Sequence, residues 1–272
     1  MPYANNAGVR VYYDVEGSGP ALLLAHGLGS SGEDWRELGY VAQLRDSCQV
    51  IMVDGRGHGS SDKPHDPLAY SAAERVRDYI AILDDLGIEK ANYWGYSSGG
   101  VVGFCAAKYA PDRFSKVIIG GLDPYPSDHD IGDRNALTNK PMRGLPESDD
   151  PIRAVLDTGG EAWLHFWQSN MDVPPAMRER LHQIDSQALI ALWEQPSPWR
   201  DEVLPLLESF PFPCLLYAGE AEWNYKGMKV ASEEMPRARF ISLPDYGHFD
   251  IFAHPERIIP QAKDFLEKSL AS

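Results

Sequence analysis

The chain has 272 residues, 43% of them hydrophobic and 24% charged, a composition that supports a sizeable buried core and excludes disorder as the main state. Forty Asp and Glu against 25 Lys and Arg leave a net charge of −15, a field that repels nucleic acid and anionic lipid. No apolar run reaches the ~18–20 residues of a membrane span, and the first residues lack the basic-then-apolar layout of a secretory leader, so a cytoplasmic protein is expected.

Short apolar segments alternate with helical periodicity, the pattern of an α/β fold with a mostly parallel sheet. Residues 9–17, VRVYYDVEG, alternate and read as an antiparallel strand near the edge. Residues 21–27, ALLLAHG, are a strand buried on both faces, followed by the turn His26-Gly27-Leu28-Gly29. A glycine-rich turn leaves backbone N–H groups free to face a cleft. Residues 49–57 form the next strand. Ser71 and Glu74 have capping-box spacing, and Val76, Tyr79, Ile80, Leu83 and Leu86 make one helical stripe that Gly87 stops.

The strand at 91–97 runs into Gly95-Tyr96-Ser97-Ser98-Gly99, with an apolar helix over 101–109 behind it. A serine on a tight strand-to-helix turn needs small residues two before and two after it, and both are glycine here. Its hydroxyl then points out of the sheet at a helix N-terminus, where developing negative charge is favoured. The N–H groups of Leu28 and Ser98 are placed to converge on one carbonyl oxygen as an oxyanion hole.

A strand at 116–122 follows, and there the rhythm breaks. Residues 124–210 separate two strands that one helix normally links, and they read as short helices at 161–168, 174–184 and 186–194. Four of the seven tryptophans, Trp163, Trp167, Trp193 and Trp199, lie in this stretch. We read it as a helical cap inserted into a core of 1–123 and 211–272. Trp163, Trp167 and Trp193 are candidates to line an apolar pocket, against the alternative that they pack the cap helices together. Strands at 214–220 and 239–244 follow, then Gly247-His248-Phe249 and a last helix from Pro255. His248, placed after the last strand, is the best of eight histidines to take a serine proton and return it. Cys48, Cys105 and Cys214 form no close pair and read as packing thiols in a reducing compartment.

The order Ser97, acid, His248 resembles the α/β-hydrolase fold family. HGLGSSGEDW (26–35) is similar to that family's oxyanion segment, and VDGRGHGSSDKP (53–64) to a turn that is structural there, so Arg56, His58, Ser60 and Asp62 receive no catalytic role. The resemblance puts the acid three residues after the glycine ending the next-to-last strand. That position is Glu222 where the family usually has Asp. Glu220 and Asp123 are the alternatives. The resemblance implies a serine esterase acting on apolar or aromatic small molecules, with lactonase, carbon–carbon hydrolase and hydroxynitrile lyase as variants of the same triad, or a receptor that retains only the pocket. Family members with an Asp nucleophile, the dehalogenases and epoxide hydrolases, are excluded by Ser97. No cofactor or metal cluster is expected, the partner is the small-molecule substrate, and nothing in the chain speaks to oligomeric state.

Overall fold

The computed structural model describes residues 2–126, 129 and 142–268. The cap assigned to 124–210 therefore has a part, 127–128 and 130–141, outside the described residues. Among the described residues eight strands form one sheet in the order β1-β2-β4-β3-β5-β6-β7-β8. They are β1 (Tyr3–Asn6), β2 (Val9–Glu16), β3 (Ala21–Ala25), β4 (Gln49–Val53), β5 (Ala91–Tyr96), β6 (Phe114–Gly120), β7 (Cys214–Gly219) and β8 (Ala238–Leu243). β2 runs antiparallel to both β1 and β4, and every pairing from β4 to β8 is parallel. β2 is thus next to the edge, and the four-residue β1, too short to register as a strand in the sequence, forms the edge itself.

The central strands are buried throughout because helices cover both faces. Alternate side chains divide the core in two. Leu23, Ala25, Ile51 and Val53 pack with Val76, Tyr79 and Ile82 of α3. Leu22, Leu24, Val50 and Met52 pack on the other face with Trp35, Tyr40, Trp94 and Phe252. The helices of the first half are α1 (Gly32–Glu37), α2 (Tyr40–Leu44), α3 (Ala72–Asp85) and α4 (Ser98–Tyr109). Between β6 and β7 lie α5 (Pro151–Thr158), α6 (Gly160–Gln168), α7 (Pro175–His182), α8 (Ser186–Trp193) and α9 (Trp199–Val203). α10 (Tyr225–Glu234), α11 (His248–Ala253) and α12 (Ile259–Glu267) complete the chain. None of the described helices is long and apolar enough to cross a membrane.

Three local expectations are corrected. The capping box at α3 is half made: Ser71 Oγ accepts from Glu74 N–H at 3.3 Å, but the Glu74 carboxylate turns away to Arg77 and Asn6. The last helix starts later than Pro255, because residues Pro255–Arg257 form a tight 3-10 turn before α12. β4 ends at Val53, since the Asp54 carboxylate gathers the N–H groups of Gly32 and Ser60, each at 2.8 Å, into a turn.

That turn buries two histidines. His26 and His58 meet edge to face with ring centroids 4.7 Å apart. His26 Nδ1 donates to the Gly27 carbonyl at 2.7 Å and its Nε2 accepts from Gly55 N–H at 3.1 Å, a pattern only a neutral ring completes. His58 Nδ1 donates to the Arg56 carbonyl at 3.0 Å. Burial holds both imidazoles below their ordinary pKa, His58 well below, and each would repel the other if charged. The unfolded chain binds these protons near pH ~6.5 and the folded chain only at lower pH, so stability falls as pH drops below about 6.5. His58→Gln should make the slope of unfolding free energy against pH, measured by denaturant titration between pH 7.5 and 5.5, shallower by up to about 1.4 kcal/mol per pH unit. Identical slopes for the two proteins would contradict this.

Candidate active site

Ser97 stands between β5 and α4 with φ 52° and ψ −122°, a region that costs a non-glycine residue about 1–3 kcal/mol. The surroundings enforce it. A Cβ on Gly95 would lie 2.5 Å from the Gly99 carbonyl oxygen, and one on Gly99 would lie 2.3 Å from the Ala25 carbonyl oxygen. Only glycine at both places lets α4 approach the ends of β3 and β5 this closely. Ser97 N–H donates to the Gly120 carbonyl at 2.8 Å, and the Ser97 carbonyl accepts from Gly100 N–H at 2.7 Å.

His248 is the first residue of α11. Asp250 accepts from Gly247 N–H at 2.8 Å, and the Tyr96 hydroxyl donates to the His248 carbonyl. The imidazole lies 4.6 Å from the Trp223 ring, centroid to centroid. It also lies 5.1 Å from the Tyr96 ring and against Gly121, with φ 64°, where a Cβ would meet His248 Cε1 at 2.8 Å. β6 therefore stops at Gly120 rather than 122. Asn224 Nδ2 donates to the Gly121 carbonyl at 2.7 Å and secures that turn.

The side chains of Ser97, His248 and Glu222 form one hydrogen-bonded row. Ser97 Oγ is 3.0 Å from His248 Nε2, and His248 Nδ1 is 2.7 Å from Glu222 Oε2. Glu222 is 1% exposed. Its other oxygen accepts from Gly219 N–H at 2.9 Å, so the longer side chain curls back onto the end of β7 and still presents one oxygen to the imidazole. The two other carboxylates considered are engaged elsewhere: Asp123 accepts from Tyr125 N–H at 2.9 Å, and Glu220 from Ser242 Oγ at 2.6 Å.

The row opens into a cavity of about 450 Å³. Leu28 and Ser98 line it beside Ser97, and among the described residues neither N–H has a protein acceptor. Trp163 and Trp167 of α6 also line it while packing on Phe166 and Phe249, so lining and packing are one arrangement. Trp193 is 44% exposed at the cavity's edge, and its Nε1 donates to Asp150 at 2.8 Å. Arg180 of α7 joins the inserted helices to α1. It bonds one oxygen of the buried Asp34 at 2.5 Å and also Glu37, while the other Asp34 oxygen accepts from Ser30 Oγ and Ser31 N–H in the turn after β3. Among the described residues no group of three or more His, Cys, Asp or Glu is placed to hold a metal ion. The three thiols are buried and free, and burial pushes Cys105 up to about 12.

The sequence profile of the α/β hydrolase fold matches residues 20–255. The chain belongs to the α/β-hydrolase fold family. An uncharacterized protein of Mycobacterium tuberculosis is 39% identical to this α/β hydrolase over 277 residues, 96% of this chain and 79% of the relative. A 3-oxoadipate enol-lactonase of Acinetobacter baylyi is 28% identical over 202 residues, 74% of this chain and 70% of the relative. The solved structure of an enol-lactonase from Burkholderia xenovorans superposes with a TM-score of 0.79 at 21% identity, over 98% of this chain and all of that one. Some further curated relatives match in part, the chain spanning 43% and 36% of the length of two of them.

Reading the sequence did not single out Gly121, Trp223, Asn224 or Arg75, all of which line the cavity. Tyr96 was visible inside the glycine-flanked turn but had no assigned contact. Glu222→Gln should lower the turnover number by roughly two to four orders of magnitude, because an amide neither fixes the imidazole tautomer nor balances its positive charge. Asp123→Asn and Glu220→Gln should stay within about tenfold of wild type. Steady-state kinetics on the three variants checks this, and a large loss in either control with little in Glu222→Gln would reverse the assignment.

Proposed function

We propose that the protein is a serine hydrolase that cleaves carboxylic esters of apolar or aromatic small molecules through an acyl-enzyme. The observation that carries this reading is the row Ser97–His248–Glu222, with links of 3.0 and 2.7 Å, opening on the cavity. Ser97 attacks the ester carbonyl as its proton passes to His248 Nε2. The Nδ1–H bond to Glu222 keeps Nε2 free to accept and offsets the charge that forms. The N–H groups of Leu28 and Ser98 hold the developing oxyanion. His248 then protonates the departing alcohol, and water, deprotonated by the same imidazole, releases the acid.

Residues 124–210 act in this reading as a cap that sets specificity. Trp163, Phe166, Trp167 and Phe249 give the cavity a largely apolar wall, which suits an aromatic or alkyl group. The enol-lactonase relative favours lactones as a second substrate class. A lactone is a cyclic ester, so the same steps apply and the leaving alcohol stays tethered to the acyl group.

Ser97→Ala should reduce hydrolysis of aryl butyrates by at least about a thousandfold while leaving the melting temperature near that of wild type. A fluorophosphonate should label Ser97, located by peptide mass spectrometry. Labelling at another serine, full activity in the alanine variant, or tight ligand binding by wild type without turnover would sink the reading. Shrinking the cap tryptophans separates lining from packing. Trp163→Ala and Trp167→Ala should each cost about 3–5 kcal/mol of stability and reorder acyl chain-length preference, whereas Trp193→Ala, at the exposed edge, should cost about 0.5 kcal/mol or less. An unchanged ranking in the first two variants would assign them to packing alone.

A further inference from the structure

The wall of the cavity contains a cation with no counter-ion among the described residues. Arg75 belongs to α3, and its Nη2 donates to the Ser98 carbonyl at 2.7 Å and to Ser98 Oγ at 3.0 Å. Arg75 lines both the cavity that holds Ser97 and His248 and a small chamber of about 20 Å³. The chamber's wall contains His26 and His58, both kept neutral by burial.

Nearby carboxylates are already committed. Asp78 is gripped by Arg56 through two bonds of 2.6 Å, and Glu74 is turned to Arg77 and Asn6. Among the described residues none reaches Arg75 within ion-pair distance, and its Nε and Nη1 donate to no protein acceptor. A guanidinium does not discard its proton near neutral pH, and burial alone lowers its pKa, the mark of a charge set in a poor solvent. The residue is half-buried where it borders the cavity, and a charge drawn partly out of water is ordinarily paired. Arg200 adds a second positive group to the same wall, stacked on Trp199 at 4.4 Å.

We propose that Arg75 binds a carboxylate of the substrate, so that the esters or lactones cleaved at Ser97 are monoanions with an acid group at one end and an apolar body. One unpaired positive charge matches one carboxylate, and the aromatic wall receives the remainder. The inference rests on the hydrolase reading above, and its test is arranged to separate the two.

Monobenzyl esters of succinate, glutarate and adipate would be compared with their neutral isosteres, in which the free acid is a carboxamide. Benzyl alcohol release gives kcat and KM. At the best chain length wild type should favour the acid over the amide by at least tenfold in kcat/KM. Arg75→Gln should bring that ratio close to one, chiefly by raising KM for the acid, and Arg75→Lys should restore part of it because the charge returns without the planar geometry. The lysine variant also guards against a glutamine protein that does not fold. Calorimetry on Ser97→Ala measures the same selectivity with no turnover: the acid should bind at least tenfold more tightly than the amide, and adding Arg75→Gln should abolish the difference. Equal handling of acid and amide by wild type would overturn the proposal. So would equal losses on both in Arg75→Gln, which would make the residue a clamp on Ser98 only. Selective binding of the acid by Ser97→Ala, with no hydrolysis of any ester by wild type, would overturn the hydrolase reading and keep the carboxylate site.

Discussion

The closeness of three backbones at the carboxyl ends of β3 and β5 is the constraint on which the rest of the molecule depends. The first turn of α4 lies so near these strands that neither Gly95 nor Gly99 has room for a single methyl group. Ser97 is held in a left-handed conformation as a result, and its side chain has nowhere to go but out of the sheet. The same approach brings Gly27 within contact of the serine, a Cβ there lying 3.3 Å from Ser97 Cβ. Ser97 and the turn after β3 are thus placed by one packing constraint. The strain of about 1–3 kcal/mol at one residue is small beside the burial of five-residue and six-residue strands on both faces, which fixes the frame.

This explains which parts of the molecule were legible in the sequence. The elbow could be read because its demand is local: glycine at two stated positions around a serine, after a strand and before a helix. The apolar runs that became β3, β4, β5 and β7 were legible for a similar reason, since a strand covered on both faces must be largely apolar. The edge strand β1 and the short helices α1 and α2 were not, because each has too few residues for a period to show. Arg75 was out of reach for a different reason. On its own helix it is one polar residue beside an apolar stripe. Its place comes from Ser98, twenty-three positions away, and from the cavity it lines, which only three-dimensional proximity can reveal.

The acid shows how geometry absorbs a departure from the family pattern. Glutamate is one methylene longer than the aspartate usual at this place. The extra length is taken up by folding the side chain back onto Gly219 N–H, which leaves one oxygen for His248. The carboxylate is almost wholly buried, and these two partners satisfy it. The family resemblance nominates Glu222 with Glu220 and Asp123 as alternatives; in the structure Glu222 meets His248, while Glu220 accepts from Ser242 and Asp123 from Tyr125 N–H.

Asp34 links α7 to the turn after β3. One of its oxygens holds Arg180, and the other holds the turn that presents Leu28. A substitution that removes the Arg180 cation therefore leaves Asp34 a buried anion without a partner, and its effect reaches both the seating of α7 and the backbone between β3 and α1.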